Sequence, residues 1–170
     1  MPDPAAVTTT CIKTPAECSA SELEAFEALL QSGGQVTGAG LLGRILGAAH
    51  LLFLRDASGL LVGISALKRT PEDYRAKIFQ QARAVVPPAA YPLEMGWIMV
   101  HPSHRGLGLA GALVEQLLPQ ARPNLVYATM RADNERMSRM AIRQGFRQEG
   151  VPYRSVRGDY ELALFVQQPH

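Results

Sequence analysis

The sequence predicts an α+β fold: a meander of strands first, then alternating helices and strands with one β-α-β crossover in the middle. Three observations carry this expectation. Asp56-Ala57-Ser58-Gly59 lies between two apolar runs, Leu51 to Leu54 and Leu60 to Leu67, as a hairpin turn does. From Val100 onward, Gly106, Pro119 and Gly145 cut the chain into alternating strand-like and helix-like segments. With 170 residues, 47% of them hydrophobic and 19% charged, the chain suits a single soluble domain over residues 1–170.

The elements follow in order. Residues 8–13 read as a short strand. Ser19 or Ser21 then caps a helix in which Leu23, Phe26, Leu29 and Leu30 recur at helical spacing, and Gly33-Gly34 ends it. Leu41 to Ala49 reads as a second short helix, weakened by Gly43 and Gly47. After the hairpin, Thr70-Pro71-Glu72-Asp73 starts a helix that is expected to reach about Val85, before Pro87-Pro88. A long strand spans 93–100, a helix 106–118, a strand 125–131 and a helix 134–144. The last hairpin joins 146–156 to 159–166 near Gly158.

Composition excludes several classes. Seventeen Lys+Arg against fifteen Asp+Glu leave a net charge of +2, too small an excess for a protein that lives on nucleic-acid backbones. The richest apolar stretch, Ile45 to Leu54, contains His50 and is far short of the ~18 residues of a membrane span. Met1-Pro2-Asp3-Pro4 has neither the basic nor the apolar region of a secretory signal, and Cys11 and Cys18 are too few for a disulfide framework. A cytoplasmic chain with no nucleic-acid or membrane partner is expected.

The most informative segment runs from Val100 to Gly111, VHPSHRGLGLAG, where a strand ends and glycines open a helix. Small residues there let phosphates approach bare backbone. The first-turn N–H groups lack intrahelical partners and carry the positive end of the helix dipole. Arg105 adds a positive charge, and the chemistry is that of a pyrophosphate site. Gly106-x-Gly108-x-x-Gly111 with Asp133 downstream imitates a dinucleotide fingerprint, but the residues after Gly111 end in a hairpin rather than in further βαβ units. Close helix–sheet packing is the plainer alternative.

Val-x-Pro-x-x-Arg-Gly-x-Gly-Leu-Ala resembles the acetyl-CoA-binding motif of the GNAT superfamily of N-acetyltransferases, with Arg105, Gly108 and Ala110 at the signature positions. Asn134 followed by Gly145-Phe146 is similar to that family's downstream segment, and the element order matches from residue 8 to 166. The resemblance implies a GNAT-like acyl-CoA-binding fold with a mixed, mostly antiparallel central sheet, a splayed parallel pair formed by 93–100 and 125–131, and flanking helices. It implies acetyl-CoA as co-substrate and no metal. The backbone of Ile98, Met99 and Val100 would hydrogen-bond the pantetheine. The amides of Arg105, Gly106, Leu107, Gly108, Leu109, Ala110 and Gly111 would hold the pyrophosphate, and Asn134 would touch the cofactor's far side. Gly96, in mid-strand, is where the family's bulge would form most easily. A small-molecule or peptide amine is the expected acceptor, and a homodimer is one expected assembly.

Acetyl transfer requires a neutral amine, and a lysine-like amine is only about 0.1% neutral at pH 7.4. Glu94 is the candidate base, on the long strand where many members of the family keep a glutamate. Strand alternation would put it on one face with Gly96, Ile98 and Val100, partly desolvated. The alternative is an edge-strand glutamate paired with a surface arginine. The oxyanion donor would be a backbone N–H near Val100. Many relatives carry a tyrosine where this chain has Ala141, so the acid is unassigned, with Ser138, Tyr127 or solvent as substitutes. His101 and His104 read as exposed loop histidines, since no carboxylate lies close by in sequence. Arg136, Arg139 and Arg143 form a stripe that suits a solvated helix face, CoA's 3′-phosphate, an acidic acceptor or nucleic acid, the last not expected at a net charge of +2. About twenty-three residues from Arg69 to Tyr91, with the helix at their centre, form an insertion of roughly 70–90 relative to the family. It would either lid the acceptor pocket or cover a sheet edge or subunit interface.

Overall fold

The computed structural model describes residues 8–34, 36 and 38–169. Met1 to Pro4, read above as lacking a secretory signal, lie outside the described residues, as do Gln35 and Thr37 of the glycine-rich stretch. The strands are β1 Thr9–Lys13, β2 His50–Arg55, β3 Leu61–Arg69, β4 Leu93–Val100, β5 Val126–Arg131, β6 Phe146–Arg154 and β7 Glu161–Gln167. The helices are α1 Ala20–Ser32, α2 Leu41–Leu46, α3 Glu72–Gln81, α4 Leu109–Leu117 and α5 Glu135–Arg143. The sheet has seven strands in the order β1-β2-β3-β4-β5-β7-β6, and β4 with β5 is its parallel pair. Among the described residues no helix is long and apolar enough to cross a membrane.

The chain forms two compact units, Met1–Lys68 with Met95–Gln120, and Arg69–Glu94 with Ala121–His170. In the first, α1 starts in a capping box: the Ser19 hydroxyl accepts from Glu22 N at 3.1 Å, and Glu22 accepts from Ser19 N at 2.9 Å. Of the two serines expected to cap, Ser19 does so. Glu22 also accepts from Lys13 Nζ at 2.9 Å, tying α1 to β1. The core joins Phe26, Leu29 and Leu30 of α1 to Leu41 and Ile45 of α2 and to Phe53 and Ile64 of the hairpin, with Trp97 and Met99 packed against it. The Phe26 ring meets Phe53 and Trp97 edge-on, at 5.5 and 6.2 Å between centroids. α4 lies on this unit through Leu113, Val114 and Leu117, and Ser65 Oγ donates to the Leu113 carbonyl at 3.1 Å.

In the second unit, β5 pairs antiparallel with β7 (Tyr127↔Val166), and β7 with β6 (Phe146↔Gln167). The insertion belongs to this unit's core. Ile78, Phe79 and Ala82 pack with Tyr91, Tyr127, Leu164 and Val166. α3 ends at Gln81 rather than near Val85, because Arg83 adopts φ 55° and the Ala84 N–H turns back to the Phe79 carbonyl at 2.9 Å. Beyond that turn the insertion bonds to β6, the outermost strand: Val151 N donates to Ala82 O at 2.8 Å and Val85 N to Glu149 Oε1 at 2.9 Å. β6 is irregular between Glu149 and Tyr153 to allow this. Gly150 has φ 67°, and a Cβ there would stand 1.8 Å from Ala82 O, so only glycine fits. The insertion is therefore tied to β6 and packed on β5 and β7.

Candidate active site

The first unit carries the glycine loop. The His101 N–H donates to Val62 O at 2.8 Å as β4 ends, and a 3-10 turn spans Pro102–His104. Gly106 and Gly108 take φ 81° and 73°, and Gly108 is the N-cap of α4. The helix therefore starts at Leu109, three residues later than the sequence suggested, since left-handed backbone cannot belong to a right-handed helix. A Cβ added at either glycine would meet nothing within 4 Å, so this backbone faces open space. The first-turn N–H groups of Leu109, Ala110 and Gly111 point out of the helix start without intrahelical acceptors. Leu107 is exposed between the two glycines, Leu109 is buried, and Arg105 folds back so that its Nε donates to Val100 O at 3.2 Å. This loop presents backbone amides on which an anion can be held.

β4 itself departs from the simple strand expected. The left-handed residue is Trp97, at φ 52°, and not the neighbouring Gly96. Such a backbone costs a bulky residue about 1–2 kcal/mol, and Trp97 is held there by Phe26 and by Lys68 Nζ, 4.9 Å from the indole centroid. At Gly96 a Cβ would come within 2.8 Å of Lys68 Cδ, so a larger residue there would displace the flexible Lys68 side chain. Regular alternation from Glu94 to Val100 is interrupted at this point. Ile98, Met99 and Val100 are half-buried.

His101 and His104 are half-buried rather than exposed as expected, and His104 has a partner that sequence distance concealed. His104 Nε2 lies 3.5 Å from Asp56 Oδ2, in the turn between β2 and β3. Ser103 Oγ sits 2.7 Å from both His101 Nδ1 and His104 Nδ1. The Ser58 hydroxyl, with the N–H groups of Leu60 and Ser58 and the nearby His104, holds the Asp56 carboxyl below its usual range. Among the described residues no group of three His, Cys, Asp or Glu is arranged to hold a metal.

The second unit carries the buried carboxylate. Glu94 is 4% exposed and stands opposite Tyr127 in the parallel register of β4 and β5. It is buried, so the solvent-exposed edge-strand alternative does not describe it. The Tyr127 hydroxyl donates to Glu94 Oε2 at 3.2 Å and lies 2.8 Å from Thr70 Oγ1. Burial and then the Glu94 charge push Tyr127's ionisation far above the ordinary phenol range, so it stays a hydrogen-bond donor. The Tyr153 hydroxyl is buried with no hydrogen-bond partner among the described residues, and burial raises its pKa as well. Neither Tyr127's nor Thr70's link to Glu94 was found from sequence; only the register of two distant strands reveals it.

Asn134 caps α5, its Oδ1 accepting from Met137 N at 3.2 Å. Ser138 Oγ donates to Asn134 O at 3.1 Å, and Ala141 is buried. Arg136, Arg139 and Arg143 are exposed, and Arg139 pairs with Glu135 at 3.8 Å, as on a solvated helix face.

The architecture defines a class: mixed-sheet α+β proteins with one parallel strand pair, a glycine-opened helix after the long strand, and flanking helices. The chain belongs to the acetyltransferase (GNAT) family, whose model matches residues 15–146. Solved structures agree on the fold. ElaA of Escherichia coli superposes with a TM-score of 0.72 at 15% identity, over 95% of this chain and 100% of that one. NAA60 of Arabidopsis thaliana in complex with acetyl-CoA gives 0.67 at 17%, over 93% and 98%. yncA of Salmonella typhimurium, solved with its cofactor acetyl-CoA, gives 0.63 at 18%, over 96% and 94%. No curated protein matches the sequence.

Proposed function

We propose that this acetyltransferase-family chain is an N-acetyltransferase, moving acetyl from acetyl-CoA to a primary amine of a small molecule or peptide by direct attack in a ternary complex. The observation that carries the reading is the loop in which left-handed Gly106 and Gly108 open α4 with free amides on exposed backbone. That NAA60 and yncA were each solved with acetyl-CoA supports the choice of donor. In this reading the backbone from Arg105 to Gly111 binds the pyrophosphate, that of Ile98, Met99 and Val100 binds the pantetheine, and Asn134 lies toward the donor.

Acetyl-CoA supplies an activated carbonyl, and the protein supplies a base and a dipole. Glu94 takes the proton that the attacking amine loses as its C–N bond forms. A backbone N–H near Val100 faces the negative charge that develops on the carbonyl oxygen. The C–S bond then breaks and the thiolate leaves, with no side chain assigned to protonate it, because Ala141 stands where many members have tyrosine. That same alanine favours a second reading, a catalytically silent acyl-CoA-binding module on the same fold.

CoA release from acetyl-CoA across a panel of primary amines separates the two readings. The first requires at least one amine to accelerate release well above hydrolysis in its absence. Release at the hydrolytic rate with every amine favours the silent module.

A further inference from the structure

We infer that Tyr127 and Thr70 are positioning residues for the Glu94 carboxylate, and that the insertion holds them in place. This rests on the reading of Glu94 as the base. Hydrogen accounting fixes the direction of the chain. The Tyr127 hydroxyl donates to Glu94 Oε2 at 3.2 Å, and that bond uses its single hydrogen. The phenol oxygen must then accept from Thr70 Oγ1 at 2.8 Å. Thr70 donates to Tyr127, and Tyr127 donates to Glu94.

Both supports are anchored by the insertion. Thr70 precedes Pro71, the N-cap of α3, and the Tyr127 ring receives Phe79 of α3 edge-on at 5.5 Å. Tyr127 is fully buried. The last torsion of a glutamate is intrinsically broad, so anchoring one oxygen orients the whole carboxylate plane. Displacement of a reacting group by about 1 Å can lower a rate ~100-fold, so this anchoring has kinetic weight. Through these contacts the insertion braces the residue that braces the base.

The test is a double-mutant cycle with a spectroscopic arm. With the most active amine of the panel, Tyr127→Phe should lower kcat about tenfold or more while the KM for acetyl-CoA stays constant. Thr70→Val, which leaves Tyr127 in place, should lower kcat less and in the same direction. In a Glu94→Gln background, Tyr127→Phe should have no further effect. The infrared band of the Glu94 carboxylate, isolated as the difference between wild type and Glu94→Gln, should shift in Tyr127→Phe whether or not an acceptor is known. Equal losses in both backgrounds would make Tyr127 merely structural and overturn the inference, as would an unmoved band or an unchanged kcat. Full activity in Glu94→Gln would remove the base itself, and the positioning role with it. That outcome is recognisable separately, because the band shift would survive it.

Discussion

The glycine loop follows β4 and Glu94 stands near that strand's start, and the two are built on opposite physics. Around Gly106 and Gly108 the backbone is exposed, a Cβ would meet nothing within 4 Å, and the proposed recognition uses amides that any residue could donate. Around Glu94 the side chains matter: a nearly buried carboxylate, a fully buried phenol and a hydroxyl form a chain with bonds of 3.2 and 2.8 Å. Backbone recognition needs only the right φ angles, so it leaves a local signature of glycines. Side-chain chemistry needs partners from separate elements, so it leaves almost none.

Substitutions can break or sharpen this contrast. Glu94→Gln should lower kcat by about 10²–10⁴, with acetyl-CoA affinity unchanged, as steady-state kinetics and calorimetry would report. Gly150→Ala tests the second unit through packing alone. With φ 67° and Ala82 O at 1.8 Å from the added Cβ, it should lose about 3 kcal/mol or more in denaturant unfolding.

Gly108→Ala is the opposite kind of glycine change. The added methyl meets no protein atom, so it should lower stability by only about 1–2 kcal/mol. It should nevertheless weaken acetyl-CoA binding about tenfold, a difference of ~1.4 kcal/mol. A Gly108→Ala variant that binds normally would mean the loop's open space is not used by the donor.

The smallest effect concerns acid stability. Burial raises the Glu149 carboxyl, but the Val85 N–H and the Arg147 guanidinium outweigh it and leave the group below its usual 4.5. The ionised form is therefore favoured in the fold. Its stabilisation is present above pH 4.5 and is lost as pH falls through the lower folded-state value. Glu149→Gln should be less stable at neutral pH and flatten the acid limb of Tm against pH.

The sequence made the α+β class and the seven strands and five α-helices of the described residues readable, because apolar periodicity and Gly/Pro punctuation agree along the chain. What it misplaced has local causes. α4 starts at Leu109 and not at Gly106, because glycines mark left-handed backbone as readily as helix starts. The strained residue of β4 is Trp97 rather than Gly96, because tertiary contacts with Phe26 and Lys68 outweigh its intrinsic preference. α3 stops early at a left-handed Arg83, which nothing in its neighbours announces. At the candidate site, Glu94 and the glycine loop are the residues that motif position proposes. Tyr127 was offered as an acid, but its bonds to Glu94 and Thr70 and the Asp56–His104 contact were not foreseen, since they depend on register and on a hairpin turn far away in sequence.

The most direct measurement is thermal unfolding of the wild-type chain with acetyl-CoA, CoA or NAD added separately at saturating concentration. A ligand at about 100 times its Kd stabilises by roughly 2.7 kcal/mol. Acetyl-CoA and CoA should each raise Tm by several degrees while NAD leaves it unchanged. A rise with NAD alone, or no rise with any of the three, would contradict the assignment of the glycine loop to an acyl-CoA donor.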